Sequence, residues 1–272
     1  MAENNFSLQK TLTMLLDEKK YHSLRDILST MNPADIAAIF DDLDQACLPL
    51  LFRLLPKELA AETFVEMEPE AQELLIRGFS DSELKEVIDE LYVDDAVDIV
   101  EEMPANVVQR ILSQAEPDMR KQINEILRYP EDSAGSIMTT EYVSLRPNMT
   151  VGEAILRIRR TGIDKETIYT CYVTKGHKLI GLVSVKDLLL CEDDNATIES
   201  IMTDHVITVG TLDDQEQVAQ MFSKYDFLAL PVVDTENRLV GIVTFDDAMD
   251  VMQDEATEDM EKMAAMLPSE HP

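Results

Sequence analysis

Basic residues are scarce in this chain of 272 residues: 23 Lys and Arg stand against 54 Asp and Glu, a formal net charge of −31. A field of that sign repels nucleic acid and anionic membrane surfaces and favours cations or basic proteins as partners. Sulfur and imidazole ligands are few as well. Cys47, Cys171 and Cys191 are scattered without CxxC spacing, and His22, His177, His205 and His271 form no HExxH pair. That pattern argues against zinc and for reduced thiols in a cytosolic setting. No P-loop, GxSxG element or Cys/His constellation occurs, so the chain is expected not to be an enzyme. It has no signal peptide and no unbroken apolar run of about eighteen residues, and is expected to be soluble as it stands.

What is abundant is apolar residue, 45% of the chain, enough for real cores, and the length suggests about two domains. Residues 1 to 130 read as one short helix after another. Asn32 before Pro33 is an N-cap with Pro at the first helical position, Pro56 opens another segment, and Ser80-x-x-Glu83 is a capping box. Apolar residues keep helical spacing in Ile36, Ile39, Phe40 and Leu43, and in Leu84, Val87, Ile88 and Leu91. Segments of about a dozen residues joined by tight turns predict a superhelical stack. Asp94 and Asp98 lie four apart on one of these helices; they are placed to share a cation, and Asp94 is equally suited to be an N-cap.

From residue 136 the chain repeats itself. Ser136-Ile137-Met138-Thr139 returns as Ser200-Ile201-Met202-Thr203, and LIGLVSVKD at 179–187 returns as LVGIVTFDD at 239–247. Each copy runs through an IMT opening, a strand, a capped helix, two strands around a turn and a final helix. Thr150-x-x-Glu153 caps the helix of the first copy and Asp213-x-x-Glu216 is the matching candidate in the second. The turns fall at Lys175–Lys178 and Asp234–Asn237. After the second copy, Phe245 to Met263 forms an amphipathic helix. Phe245, Met249, Met252, Ala256, Met260 and Met263 gather on one side, and Asp247, Asp250, Asp254, Glu258 and Glu261 on the other, flanked by Glu255 and Asp259. Carboxylates four apart repel by roughly 0.2–0.5 kcal/mol per pair, and Lys262 is the local relief. The face is either a solvated surface over an apolar stripe or a seat for something positive.

The paired IMT openings with G-x-V-[ST]-x-x-D endings resemble tandem CBS domains. The helical segment, YPEDSAGSIMT, the CBS pair and FDDAMDVMQDEATED together resemble the cytosolic portion of MgtE-type magnesium transporters, a likeness covering essentially all 272 residues. The resemblance implies an α plus α/β fold: an N-terminal all-α superhelical domain at 1–130, a tandem CBS (β-α-β-β-α) pair at 131–195 and 196–247, and an acidic connecting helix at 248–272. That helix would lead to a membrane domain absent from this chain. The chain is thus expected to be a regulatory region at the cytoplasmic face of the cell membrane, homodimeric through its CBS domains, closing a pore when magnesium is high.

The resemblance also nominates magnesium ligands. They are Glu62, Asp94 and Asp98 on the N domain; the Gly135 carbonyl; Asp214, Glu216 and Asp226 on the second CBS half; and Asp247, Asp250, Glu255, Glu258 and Asp259 on the connecting helix. Magnesium keeps several waters and takes only one or two carboxylates, so such sites are weak, and a millimolar dissociation constant corresponds to only about 4 kcal/mol. CBS pairs in general bind adenine nucleotides through the [ST]-x-x-D ending. In the first copy this implies ATP on Tyr169, Ser184, Lys186 and Asp187, with the carboxylate on the ribose; Ser184 and Thr244 as plain N-caps is the competing reading. Two further classes stay open: an adenine-nucleotide-sensing CBS adaptor for another protein, and a magnesium-dependent hydrolase, against which the carboxylates are spread over three segments.

Overall fold

The computed structural model describes residues 2–41 and 43–266, without the side chains of residues 2–9, 164, 259, 261 and 263–266. The chain divides into two compact units, residues 1–121 and 122–272.

The first unit is helical: α1 (Ala2–Asp17), α2 (Tyr21–Leu28), α3 (Pro33–Asp41), α4 (Leu48–Phe52), α5 (Lys57–Val65), α6 (Pro69–Gly78), α7 (Asp81–Ile88), α8 (Val93–Glu102), α9 (Ala105–Gln114) and the start of α10 (Pro117–Ile126). After α1 the helices are shorter than the dozen residues expected. Pro33, Pro56, Pro69 and Pro104 sit at or just before helix starts, and each forces the residue before it out of the helical region. Asn32 Oδ1 accepts from the Ala34 amide at 3.0 Å, and Ser80 with Glu83 forms the full capping box. α3 packs on α5, α5 on α7 and α7 on α9, so alternate helices share one side of the stack, as a superhelix requires. Phe52, Phe64 and Phe79 meet with ring centroids 5.4–6.5 Å apart. Arg53 Nε donates to Glu83 at 2.6 Å, and this bond, with the Ser80 amide, pulls the Glu83 carboxyl down to about 2.

The second unit contains two three-stranded sheets of the same design. β1 (Tyr142–Leu145) runs parallel to β2 (Thr167–Lys175), which pairs antiparallel with β3 (Lys178–Ser184); β4 (Val209–Gly210), β5 (Ala229–Val233) and β6 (Leu239–Thr244) repeat the order. The helices are α11 (Val151–Thr161), α12 (Val185–Leu190), α13 (Ile198–Ile201), α14 (Gln215–Tyr225) and α15 (Phe245–Met266). The Thr150 capping box forms. Its counterpart does not: Asp214 caps α14 by accepting from the Gln217 amide at 3.1 Å, because the Asp213 carboxylate is taken by the Gly210 amide at 2.7 Å.

The repeats are interleaved. Thr139, from the first IMT opening, exchanges backbone bonds with Ile242 on β6 at 2.8 and 2.9 Å, while Thr203, from the second, does so with Leu182 on β3. Met138 is buried in the core of the second half and Met202 packs on that of the first. The exchange demands glycine on both sheets. A Cβ at Gly241 would lie 2.6 Å from Met138 Sδ and 2.8 Å from Thr139 O, and one at Gly181 2.7 Å from Met202 Sδ and 2.9 Å from Thr203 O. Since the obstructing atoms include backbone, Gly241→Ala is expected to cost about 1–3 kcal/mol, in the range of overpacked cores. Denaturant unfolding would check it, and an unchanged midpoint would show that the opening is not seated so closely.

Candidate functional site

The acidic helix is built onto the second half of the repeat through its first two turns. Thr244 ends β6, and its amide donates to Asp247 Oδ2 at 3.2 Å, joined by a short bond from its hydroxyl. Ala248 and Val251 are buried with Val218, Ala219 and Phe222 of α14. The apolar stripe that gathers on one side of this helix is mostly not buried among the described residues. Met252 and Glu255 are half-buried, whereas Phe245, Met249, Ala256 and Met260 are exposed; Met263 lies outside the described side chains. The reason is that α14 and β6 reach only one edge of the helix, and the edge they cover is that of Ala248 and Val251.

Two groups of carboxylates result. Asp246, Asp250 and Asp254 follow one another at i,i+4. Partial loss of water, then Asp246 and Asp254, push the Asp250 carboxyl above its ordinary range. Glu255 turns toward α14: loss of water, then Glu216 and Glu258, raise it, against a bond from Gln215 and the charge of Lys262. Lys262 Nζ pairs with Glu258 at 2.5 Å, the relief expected from the sequence. Acidic neighbours disfavour the charged form of each carboxyl as loss of water does, and hard carboxylate oxygens are the donors magnesium takes.

The remaining candidates are distributed as follows. Gly135 lies in a segment docked beside the α14 N-cap: its amide donates to Thr211 O at 3.0 Å, Ser133 bridges Asp214, and a Cβ would meet the Tyr129 ring at 2.5 Å. Gly135 and Asp214 therefore lie at the same end of α14, which carries Glu216 in its first turn. Asp226 stands at the other end of α14 as its left-handed C-cap, φ 54°. In the first unit, Asp94 and Asp98 both lie on α8, with Tyr92 as its N-cap, so Asp94 is a first-turn residue and not the cap. Glu62 is exposed on α5. The Asp259 side chain lies outside the described residues.

The Ser184-x-x-Asp187 motif closes the other sheet. Ser184 accepts from the Asp187 amide at 3.1 Å and donates its hydroxyl to Asp187 Oδ2 at 2.6 Å, a complete capping box for α12. The capping reading is therefore correct as far as it goes, and it leaves Asp187 and Lys186 exposed. Tyr169, on β2, is 66% exposed. The sequence reading passed over a set of basic side chains at the far end of the same sheet, Arg146, Arg157, Lys175 and His177; its trace was a local excess of Lys and Arg.

A helical stack followed by two interleaved β-α-β-β-α halves, each ending in a capped [ST]-x-x-D, defines a helical domain joined to a tandem CBS module. Residues 31–132 match the MgtE intracellular N domain, and residues 134–192 and 198–254 match the CBS domain. The chain is 40% identical over 95% of its length to the magnesium transporter MgtE of Thermus thermophilus, and 33% identical over 93% to that of Bacillus subtilis, spanning 58% and 56% of those proteins. It also superposes, with a TM-score of 0.84 and 38% identity, on a crystal structure of the cytosolic domain of the Mg2+ channel MgtE in complex with ATP, covering 89% of this chain and 99% of that one. The chain belongs to the MgtE family, a family of transporters and not of enzymes. No helix among its described residues is long and apolar enough to cross a membrane.

Proposed function

We propose that this chain is the cytosolic, magnesium-sensing region of a magnesium channel or transporter. The N domain at 1–130, the CBS halves at 131–195 and 196–247 and the connecting helix at 248–272 act together. Magnesium bridges their acidic residues, and the pore of the full protein closes in response. The observation that carries this is the row of carboxylates Asp246, Asp250 and Asp254, four residues apart on a helix whose first turns, through Ala248 and Val251, are buried against α14. Negative charge held in excess on a built surface relaxes when a divalent ion arrives. A homodimer through the CBS pair is supported by large apolar side chains left exposed on it, among them Leu189, Leu190, Phe245 and Met249. ATP at Tyr169, Ser184, Lys186 and Asp187 is a second ligand of the same module, supported by the exposed ring, cation and carboxylate around the α12 cap.

Small-angle scattering tests bridging. In about 20 mM magnesium chloride the radius of gyration should be smaller than in potassium chloride of equal ionic strength, since monovalent salt screens charges more than a Debye length apart, about 8 Å at physiological ionic strength, but does not join two carboxylates. A variant with Asp94, Asp98, Asp247 and Asp250 all changed to Asn should keep nearly one radius in both buffers. Wild-type protein with the same radius in both would remove metal bridging from the proposal.

A further inference from the structure

The chain's basic residues are concentrated where its overall charge makes them least expected. Between residues 141 and 190 there are eight Lys and Arg against five Asp and Glu, in a chain of net charge −31. Four side chains of this stretch converge. Arg146 follows the end of β1, Arg157 projects from α11, and Lys175 and His177 come from the β2–β3 hairpin; all four line one cavity of about 570 Å³. A second cavity of about 650 Å³ shares Arg146 and Arg157 and adds Arg160, one helical turn from Arg157 on the same face.

We propose that these adjoining cavities form an anion site for a small soluble molecule carrying two or more phosphate groups. Guanidinium forks match phosphate oxygens two at a time, which favours phosphate over a lone carboxylate, and two cavities sharing Arg146 and Arg157 suit more than one phosphate. The Arg and Lys cations are available: among the described residues none of Arg146, Arg157, Arg160 and Lys175 takes part in an ion pair, whereas Arg53, Arg77, Arg110 and Arg238 all do. Of the two carboxylates in the walls, Glu153 is held by the Thr150 amide at 2.9 Å, and Glu199 remains as a lone opposing charge.

The site has a rigid wall. Gly176 and His177 both have positive φ, 59° and 68°, the pairing that a two-residue type I′ hairpin requires. The hairpin is tied to the other half of the module, where the Leu239 amide donates to His177 O at 3.0 Å and the Leu179 amide to Asn237 O at 3.1 Å. The site is also separate from the nucleotide motif. Lys175 pairs with Lys178 at one end of the β2–β3 ladder and Thr170 with Ser184 at the other, five residues and so about 16 Å away. A soluble ligand is favoured over a lipid headgroup because the chain's net charge repels an anionic membrane.

Titration calorimetry with inorganic pyrophosphate, in low-salt buffer free of divalent ions, tests this. Wild-type protein should bind, and Arg146→Gln with Arg157→Gln should weaken binding at least tenfold, as expected for losing two charged hydrogen-bonding groups. Arg159→Gln, on the same helix but lining neither cavity, should bind as wild type does. Arg146 and Arg157 are exposed, so the melting temperature should hold; should it not, Lys175→Gln replaces the pair and carries the same expectation. In a parallel arm the protein is sedimented with phosphatidylglycerol vesicles and should stay in the supernatant. The proposal is overturned by no heat with wild type, by unchanged binding in the Arg146/Arg157 variant, by an equal loss in Arg159→Gln, or by binding to vesicles but not to pyrophosphate.

Discussion

Magnesium chloride at about 10 mM should raise the melting temperature of this chain by several degrees over potassium chloride of equal ionic strength. A site filled to ten times its dissociation constant adds about 1.4 kcal/mol by mass action, and each kcal/mol moves a melting point by about 2–4 °C in domains of 150–250 residues. The carboxylates expected to matter most are Asp250 and Glu255, which are raised by partial loss of water and by their acidic neighbours. Changing them to Asn and Gln should therefore act in two directions. Without magnesium the variant should melt higher than wild type, because repulsion along α15 is relieved; with magnesium it should gain less. A purely solvated acidic face would show the first effect without the second. A wild-type curve unmoved by magnesium would reject sensing by these residues.

The parts of this molecule that were legible in sequence are those where a short motif determines its own geometry. Ser80, Thr150 and Ser184 each have an acidic residue three positions on, and each forms a capping box. Lys175–Lys178 is a hairpin turn because Gly176 leads it. Tandem repetition announced two halves of like topology, and they are there. The motif logic failed where two candidates stood side by side. Asp213 and Asp214 both precede helical sequence, and Glu216 favoured Asp213; Gly210 claims that carboxylate, and the cap passes to its neighbour.

Partnership at long range was less visible. Nothing in SIMT says that it will lie on the other repeat's sheet, although Gly181 and Gly241, one in each copy of the G-x-V element, are the trace of the close approach it requires. Which face of α15 is covered was not legible, because periodicity shows which residues share a face, while the face that is covered depends on where α14 and β6 reach. The basic cavity was missed because its residues come from the end of a strand, a helix and a hairpin.

ATP affinity should fall at least tenfold in Asp187→Ala and stay unchanged in Asp247→Ala, measured by equilibrium binding at one fixed magnesium concentration. Both carboxylates play the same local part, accepting from the amide and hydroxyl of Ser184 or Thr244, so the cap alone does not separate the two halves. Their neighbours do. The residue before Asp187 is Lys186, and the residue before Asp247 is Asp246, followed within one turn by Asp250; a triphosphate is attracted to the first and repelled by the second. A hydrogen bond to a charged group is worth about 1.5–3 kcal/mol, hence the size of the loss. Because Asp187→Ala also removes half of the capping box of a six-residue helix, Asp187→Asn is the companion variant. It keeps an acceptor for the cap but loses the charge, and should still bind ATP more weakly than wild type. Equal loss from the changes at Asp187 and Asp247 would move the nucleotide to a position touching both halves, and loss at Asp247 alone would move it to the second.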